Sequence, residues 1–380
     1  VNILVPNLGS TSLKYQSLDM PGERVAARGR LERVSDYREA ISRIQTAGAA
    51  IDAVAFKAVH GGPNYRGTFV IDSAVIAALE QYLPAAPAHN RIYLTGIRAF
   101  QEAMPGVPLL AAFETEFHAT IPEHAACYGV PREWREDGGV RRYGFHGASH
   151  QYVSERVPEM VGLSRDRLRL VSCHLGGSSS ICAILNGRSV DTTMGFSPQS
   201  GLENATRHGD LDVFAVLYMM SRRDWSVGDV TDQLARTGGL AGLSGIAGGD
   251  VRDLEQSAAS GNPDAALALE VLAYQVRKSI GAYAAAMGGL DAIAFTGGIG
   301  ENSATLRSQC CEQLAFLGIR LDPERNERAS GDRVISSDDS AVKVVALATN
   351  EELVVARRAY RCLAQWLSAG CPSPVTKTPG

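Results

Sequence analysis

The sequence predicts an α/β fold built from two related halves. Three observations carry that prediction. An apolar strand followed by a small-residue turn occurs twice, strand-like and helix-like segments alternate through both halves, and a length of 380 residues favours two or three domains over one. The first copy of the strand and turn opens the chain, with Asn7, Leu8, Gly9 and the hydroxyl run Ser10, Thr11, Ser12 ahead of Leu13, Lys14 and Tyr15. The second follows Leu168, with His174, Leu175, Gly176, Gly177 and Ser178 to Ser180 ahead of Ile181, Cys182 and Ala183. Gly lets backbone N–H groups point into a concave turn, and Ser and Thr hydroxyls add donors, so such a turn suits phosphate oxygens. Either copy alone also reads as an ordinary tight hairpin. The matched pair suggests a duplicated domain with a nucleotide between the halves.

The elements follow in order. Residues 1–16 read as a strand pair, and 53–60 as a buried strand that stops at Gly61, Gly62 and Pro63. Helical patterns cover 73–83 and 90–104, the latter ended by Pro105 and Gly106. Leu109 to Phe113 is a short apolar strand. The second half starts its strand set at 168–192 and continues with helices near 211–222, 226–236 and 263–287. Ala292 to Thr296 is a strand running into Gly297, Gly298, Ile299 and Gly300; Val342 to Ala348 is the last strand, and Glu351 to Trp366 a closing helix. The Pro-, Ser- and Thr-rich tail after Gly370 is expected to be disordered.

Composition excludes several classes. The chain is 45% hydrophobic and 21% charged, as soluble globular proteins are, and its net charge of −4 argues against nucleic acid or an acidic membrane as the main partner. Seven Cys (127, 173, 182, 310, 311, 362 and 371) form no CxxC pair, which fits reduced thiols and a cytoplasmic location. The adjacent Cys310 and Cys311 read as packing. Apolar stretches are strand-sized or broken by Gly, so neither a signal peptide nor a membrane span is expected.

All eight His lie between residues 60 and 208, clustered with Arg and Gly near strand ends. His60 follows a strand and is placed to order the Gly61–Gly62 turn. His146 and His150 have an i, i+4 spacing that zinc ligands use on helices. Gly147 argues against an established helix there, and no HExxH pattern follows. His118 and His150 read as structural.

Six segments together carry a resemblance to a known family: Asn7 to Lys14, Val59 to Gly62, Arg142 to His150, Val190 to Phe196, Thr296 to Asn302 and Thr349 to Leu353. The chain resembles the acetate kinase family, within the acetate and sugar kinase/actin-like superfamily, over nearly its whole length. The resemblance implies two duplicated actin-like (ribonuclease H-like) domains with a nucleotide cleft between them, spanning residues 1–116 plus 352–380 and residues 117–351. It implies ATP- and Mg²⁺-dependent phosphorylation of a short-chain carboxylate, acetate or propionate, to an acyl phosphate and ADP by reversible in-line transfer. A homodimer is implied as well. A carboxylate is already ionised near neutral pH, so the difficulty is bringing an anion to an anionic γ-phosphate, which calls for cations and neutral donors.

The roles it implies are these. Asn7 and Glu351 hold Mg²⁺ through hard oxygen donors. Ser10, Ser12 and Lys14 face the phosphates. Arg207, a planar multi-donor cation, stabilises the transferring phosphoryl, with His146 donating to the same group and Glu114 as a third catalytic residue. Lys57, Val59 and His89 contact the substrate, His89 and His174 lining the phosphate path. Leu175, Gly176, Gly177, Ser178, Asp250, Val251, Arg252, Gly298, Ile299, Gly300, Glu301 and Asn302 hold the nucleotide with His174.

The chain departs from the family pattern at the site. Lys57 stands where the family has Arg, exchanging a bidentate grip for a point charge. Glu114 stands where it has Asp, which moves the carboxylate by about one C–C bond, ~1.5 Å. A misplacement of about that size costs a hundredfold in rate at a demanding site. Gly177 and Ser178 replace Asn and Gly in the nucleotide loop, His208 replaces a Ser, and the stretch between Tyr15 and Lys57 is short. Two readings compete with an acetate kinase: a relative retuned to another acyl substrate, and a non-catalytic nucleotide-binding relative. An ATPase without an acceptor is a further alternative.

Overall fold

The computed structural model describes residues 1–9, 12–44, 48 and 50–369, with the side chains of all but 87–89. The chain divides into two units, Val1–Ala119 with Asn350–Gly380, and Thr120–Thr349. Ser10, the side chain of His89 and the tail after Gly370 lie outside the described residues.

The first unit holds a six-stranded sheet of β1 (Asn2–Gly9), β2 (Ser12–Asp19), β3 (Arg24–Glu32), β4 (Ala53–Ala58), β5 (Thr68–Val70) and β6 (Leu109–Phe113), in the order β3-β2-β1-β4-β6-β5. The second holds β7 (Arg169–His174), β8 (Ser180–Leu185), β9 (Arg188–Thr192), β10 (Ala292–Thr296), β11 (Arg333–Val334) and β12 (Lys343–Ala346), in the order β9-β8-β7-β10-β12-β11. The pattern is the same in both. An antiparallel meander leads into three parallel strands, β1, β4, β6 or β7, β10, β12, and an antiparallel strand closes the far edge. The two repeated turns are therefore hairpins, β1–β2 and β7–β8, occupying equivalent places in equivalent sheets. The α/β class and the duplication read from the sequence are both present.

The parallel strands are buried on both faces, so they read as continuous apolar runs such as Leu109–Phe113 and Ala292–Thr296. Strand periodicity then sorts their side chains. In the first unit Leu4 and Leu8 of β1, Val54, Phe56 and Ala58 of β4, and Leu109, Ala111 and Phe113 of β6 join one core with the Pro87–Ala103 helix. Asn7 and Lys57 alternate to the opposite face, where the closing helix Glu351–Ser368 packs. In the second unit Val171, Cys173, Ile181 and Ala183 join the core under the long helix Pro263–Ala286. Ser172, His174 and Ser180 alternate to the face carrying the helix Gly147–Val161.

That last helix corrects the sequence reading, which took Gly147 as evidence against one. Gly147 is its first residue, where the N–H lacks an intrahelical partner anyway and a glycine costs least. His146 caps it with φ 57° and ψ 28°, a left-handed conformation uncommon outside Gly. β3 was not legible either. Its Arg-rich sequence alternates weakly because it is the exposed edge. Cys310 and Cys311 end the helix Ala304–Cys311 and pack into the second core. Among the described residues no helix is long and apolar enough to cross a membrane.

Candidate functional site

In both units the candidate residues gather at the carboxyl ends of the parallel strands, where open α/β sheets place ligands. In the first unit these are Asn7 on β1, Lys57 on β4 and Glu114 just past β6, whose N–H donates to Ala58 O at 2.8 Å. Glu351 begins the closing helix, whose cap residue Asn350 accepts from Leu353 N–H at 3.1 Å. Asn7, Lys57 and Glu351 line one small recess with Val5, Pro6 and Val355. Lys57 Nζ donates to the Glu351 carboxylate in a part-buried ion pair. Burial alone lowers the Lys57 pKa, but the charges of Glu351 and Glu114 outweigh it and hold the ammonium well above its usual value. Tyr93, 4% exposed on the Pro87–Ala103 helix, belongs to the same electrostatic cluster, and burial pushes its phenol up to about 12. The sequence reading missed Tyr93. A lone Tyr in an amphipathic helix carries no signal.

The other first-unit candidates surround this group. Lys14 is exposed on β2 opposite Asn7, and Ser12 sits opposite Gly9 at the hairpin end. Val59 is buried just past β4. His60 Nδ1 accepts from Gly62 N–H at 3.1 Å and its ring stacks on Tyr82, which closes the Gly61–Gly62 turn. Gly62 is required there: its φ is 72°, and a Cβ would lie 2.2 Å from the Tyr82 ring. Asn90 Nδ2 donates to His60 O and Leu79 O, tying the turn to the helix that carries His89.

In the second unit the structure brings together two of the three segments that the sequence reading assigned to the nucleotide. Leu175 N–H donates to Thr296 O, and Leu175 O accepts from Ile299 and Gly300 N–H, so the turn after β7 is tied to the Gly297–Asn302 helix. The approach is close enough that a Cβ on Gly297, at φ 77°, would lie 2.5 Å from Leu175 O. Ser179 N–H donates to Asn204 Oδ1 at 2.6 Å, and Ala205 N–H to Gly177 O at 3.1 Å, which joins the same turn to the loop bearing Arg207. Asn204 is a linking residue that sequence reasoning did not single out. Side chains differ in what they present. Those of Leu175 and Val251 are in the core, Asn302 Nδ2 bonds back to Gly298 O, and Glu301 is half-buried with its pKa raised by burial. Asp250 caps the Val251–Ala259 helix and pairs with exposed Arg252, whose hydrogen bonds hold it down at about 2.

Arg207 is buried, 9% exposed, and Nη1 donates to Pro198 O at 2.6 Å. Among the described residues no carboxylate pairs with it, and burial lowers its pKa to about 10. A buried guanidinium without a counter-charge is a strong anion site. His208 beside it is also lowered by burial. His146 and His150 both reach Ser180 Oγ, each at 2.8 Å, so their i, i+4 spacing serves one hydroxyl.

Among the described residues no three His, Cys, Asp or Glu side chains gather as metal ligands. The Asn7 amide and the Glu351 carboxylate in one recess supply two hard oxygen donors. That fits Mg²⁺, which binds few protein groups and completes its shell with water and substrate phosphate.

Comparisons with known proteins give the chain its relatives. Residues 37–357 match the sequence profile of the Acetokinase family. The acetate kinase of Caldanaerobacter subterraneus subsp. tengcongensis is 43% identical over 94% of this chain and 98% of its own length. A crystal structure of Porphyromonas gingivalis acetate kinase superposes with a TM-score of 0.85 at 35% identity, covering 95% of this chain and 99% of that one. A propionate kinase from Francisella tularensis gives a TM-score of 0.86 at 32% identity, covering 94% and 98%.

Proposed function

The chain belongs to the acetokinase family, and on that premise we propose that it transfers the γ-phosphoryl of ATP to a short-chain carboxylate, acetate or propionate, giving an acyl phosphate and ADP. The observation that carries this reading is Arg207, a buried cation whose charge no carboxylate of the described residues neutralises. Such a group is stabilised when an anion arrives, and most of all when charge builds up on a transferring phosphoryl.

A carboxylate oxygen attacks the γ-phosphorus in line, the bond to the β–γ bridging oxygen breaks, and ADP leaves with the electron pair. No proton need be removed from the nucleophile. Mg²⁺ would neutralise phosphate charge when bound, and Asn7 and Glu351 are the residues that would hold it. Ile299 and Gly300 N–H are committed to Leu175 O and Gly176 N–H to Ser179 Oγ, so Gly177, Ser178 and Gly298 are the positions that offer backbone N–H groups to the nucleotide. Arg207 and the His146 ring donate to the phosphoryl oxygens. Lys57 attracts the carboxylate, although Glu351 and Glu114 already share its charge. This sharing supports a carboxylate site retuned from the Arg pattern of the family.

A hydroxylamine trap with Mg-ATP and a panel of acetate, propionate and butyrate tests the reading. Hydroxamate with one acid is the expected result and names the substrate. No hydroxamate from protein that still binds ATP would point to a non-catalytic nucleotide binder. We also infer a homodimer. The helices Val213–Arg223 and Val227–Arg236 bury no residue and expose Val213, Phe214, Leu217, Tyr218 and Val227, an apolar surface that a second copy would cover. Sedimentation at the monomer mass overturns this.

A further inference from the structure

One face of the second sheet carries a chain of buried hydrogen bonds. Ser172 Oγ lies 2.8 Å from His150 Nδ1, His150 Nε2 lies 2.8 Å from Ser180 Oγ, and Ser180 Oγ lies 2.8 Å from His146 Nδ1. We propose that Ser172, His150 and Ser180 are positioning residues that hold His146 as the neutral tautomer with its proton on Nε2, so that the ring meets a phosphoryl oxygen as a donor; the proposal rests on the kinase reading above.

Proton counting carries it. A hydroxyl has one proton to give and two lone pairs. Ser180 is fully buried between the two rings, so accepting from both would strand its own proton, and it donates to one ring nitrogen and accepts from the other. Only two neutral arrangements of the chain are coherent. In the first, Ser172 donates to His150 Nδ1, His150 Nε2–H donates to Ser180, and Ser180 donates to His146 Nδ1. In the second every donor is reversed, and the Ser172 hydroxyl proton must find another acceptor. Ser172 is fully buried on β7, and among the described residues its hydroxyl has His150 as its side-chain partner. The reversed arrangement thus strands a buried donor, which proteins avoid. The first arrangement satisfies every hydroxyl proton and leaves His146 Nδ1 as an acceptor. A neutral His146 then carries its proton on Nε2.

The surroundings fix the ring as well as its proton. His146 stacks on His174 with centroids 4.3 Å apart, and His174 Nδ1 is itself held at 2.8 Å from Ser149 Oγ. The left-handed backbone of His146 starts the helix that carries Ser149 and His150, and the hydrogen bonds tie that helix to strands β7 and β8. The sheet period puts Ser172, His174 and Ser180 on one face. One turn of helix puts Ser149 and His150 opposite them.

Two-bond ¹H–¹⁵N spectra of the ¹⁵N-histidine-labelled full chain, free of ligands, report which ring nitrogen bears the proton, with His146 assigned by its loss in His146→Gln. The wild type is expected to show the Nε2–H form. Ser180→Ala, a small substitution at a buried hydroxyl, should mix the tautomers and lower kcat about tenfold with KM for the carboxylate nearly unchanged, a factor in the range of one buried hydrogen bond. Ser172→Ala should act in the same direction from further away. Ser180→Thr, which keeps the hydroxyl, should retain the wild-type tautomer. A wild-type His146 protonated on Nδ1 overturns the proposal, and so does a Ser180→Ala variant with unchanged tautomer and kcat. The spectra need no turnover. A wild type that makes no acyl phosphate therefore sinks the kinase reading separately from the tautomer result.

Discussion

Lys57 in the first unit and Arg207 in the second are both cations at the strand ends, and they differ in what surrounds them. Lys57 is paired with Glu351 and shares the field of Glu114. Arg207 has a backbone carbonyl from Pro198 and no carboxylate among the described residues. A neutralised cation contributes to the fold and has less left for a ligand. An uncompensated one carries a desolvation cost that a bound anion relieves. The equivalent sheets have thus been put to different electrostatic uses, one holding a cation that shares its charge with carboxylates and the other a cation that does not.

The strongest way to break this comparison is Arg207→Ala. It should lower kcat/KM about a thousandfold in the hydroxamate assay, in line with the loss of a group that stabilises a transferring phosphoryl. Its thermal midpoint should hold or rise, because an unneutralised buried charge has gone. A clear loss of stability would show that Arg207 serves the fold through its packing and its bond to Pro198 O.

Lys57→Met is expected to do the opposite and act first on the fold. It removes the cation from a part-buried ion pair with Glu351, which costs about 3 kcal/mol. Urea midpoints measure this. The double variant Lys57→Met/Glu351→Gln should recover part of the loss, since the pair acts as a unit. Additive losses would mean the two side chains are not coupled. Lys57→Arg should keep the stability and change KM among acetate, propionate and butyrate by about threefold or more, in the range of a small change in binding energy. An unchanged ranking would remove Lys57 from the substrate site.

The smallest effect is at the other ends of the strands. Arg169 hydrogen-bonds both oxygens of Asp291, at 2.6 and 3.0 Å, and this holds the carboxyl below its ordinary value of 3.8. A depressed carboxyl stabilises the fold above its unfolded value, and that contribution is lost as pH falls through the folded value. Asp291→Asn should therefore cost about 1 kcal/mol near neutral pH, discounted for the partial exposure of both side chains. The difference from wild type should vanish in strong acid. The pair of Glu23 with Arg357 in the first unit, where Arg357 again lowers the carboxyl, should behave alike.

Much of the fold was legible because the informative strands are buried on both faces. Leu109–Phe113 and Ala292–Thr296 read as strands from composition alone. β3 did not, since an exposed edge selects charged residues and blurs the alternation. Gly147 misled for a related reason: helix propensity describes interiors, and Gly147 is a terminus. At the site, the repeated turns pointed to Asn7 and His174. The Lys57–Glu351 pair joins residues 294 positions apart, and no local pattern announces it. Tyr93 on a helix and Asn204 in a loop are single polar residues made functional candidates only by what faces them, and Ser180, though part of the hydroxyl run, gave no sign of the rings it meets.

By itself the sequence determined what local chemistry can encode: the run of strands and helices, the duplication, and the residue types that match the acetokinase motifs. Periodicity and turn geometry depend on neighbours in the chain, so they are written in it directly. Tertiary structure decided which cation is neutralised, which loops meet, and which nitrogen of His146 is committed to Ser180. Charge compensation and proton placement depend on atoms within a few ångströms of each other, and only the folded sheet brings those atoms from distant parts of the chain to one place.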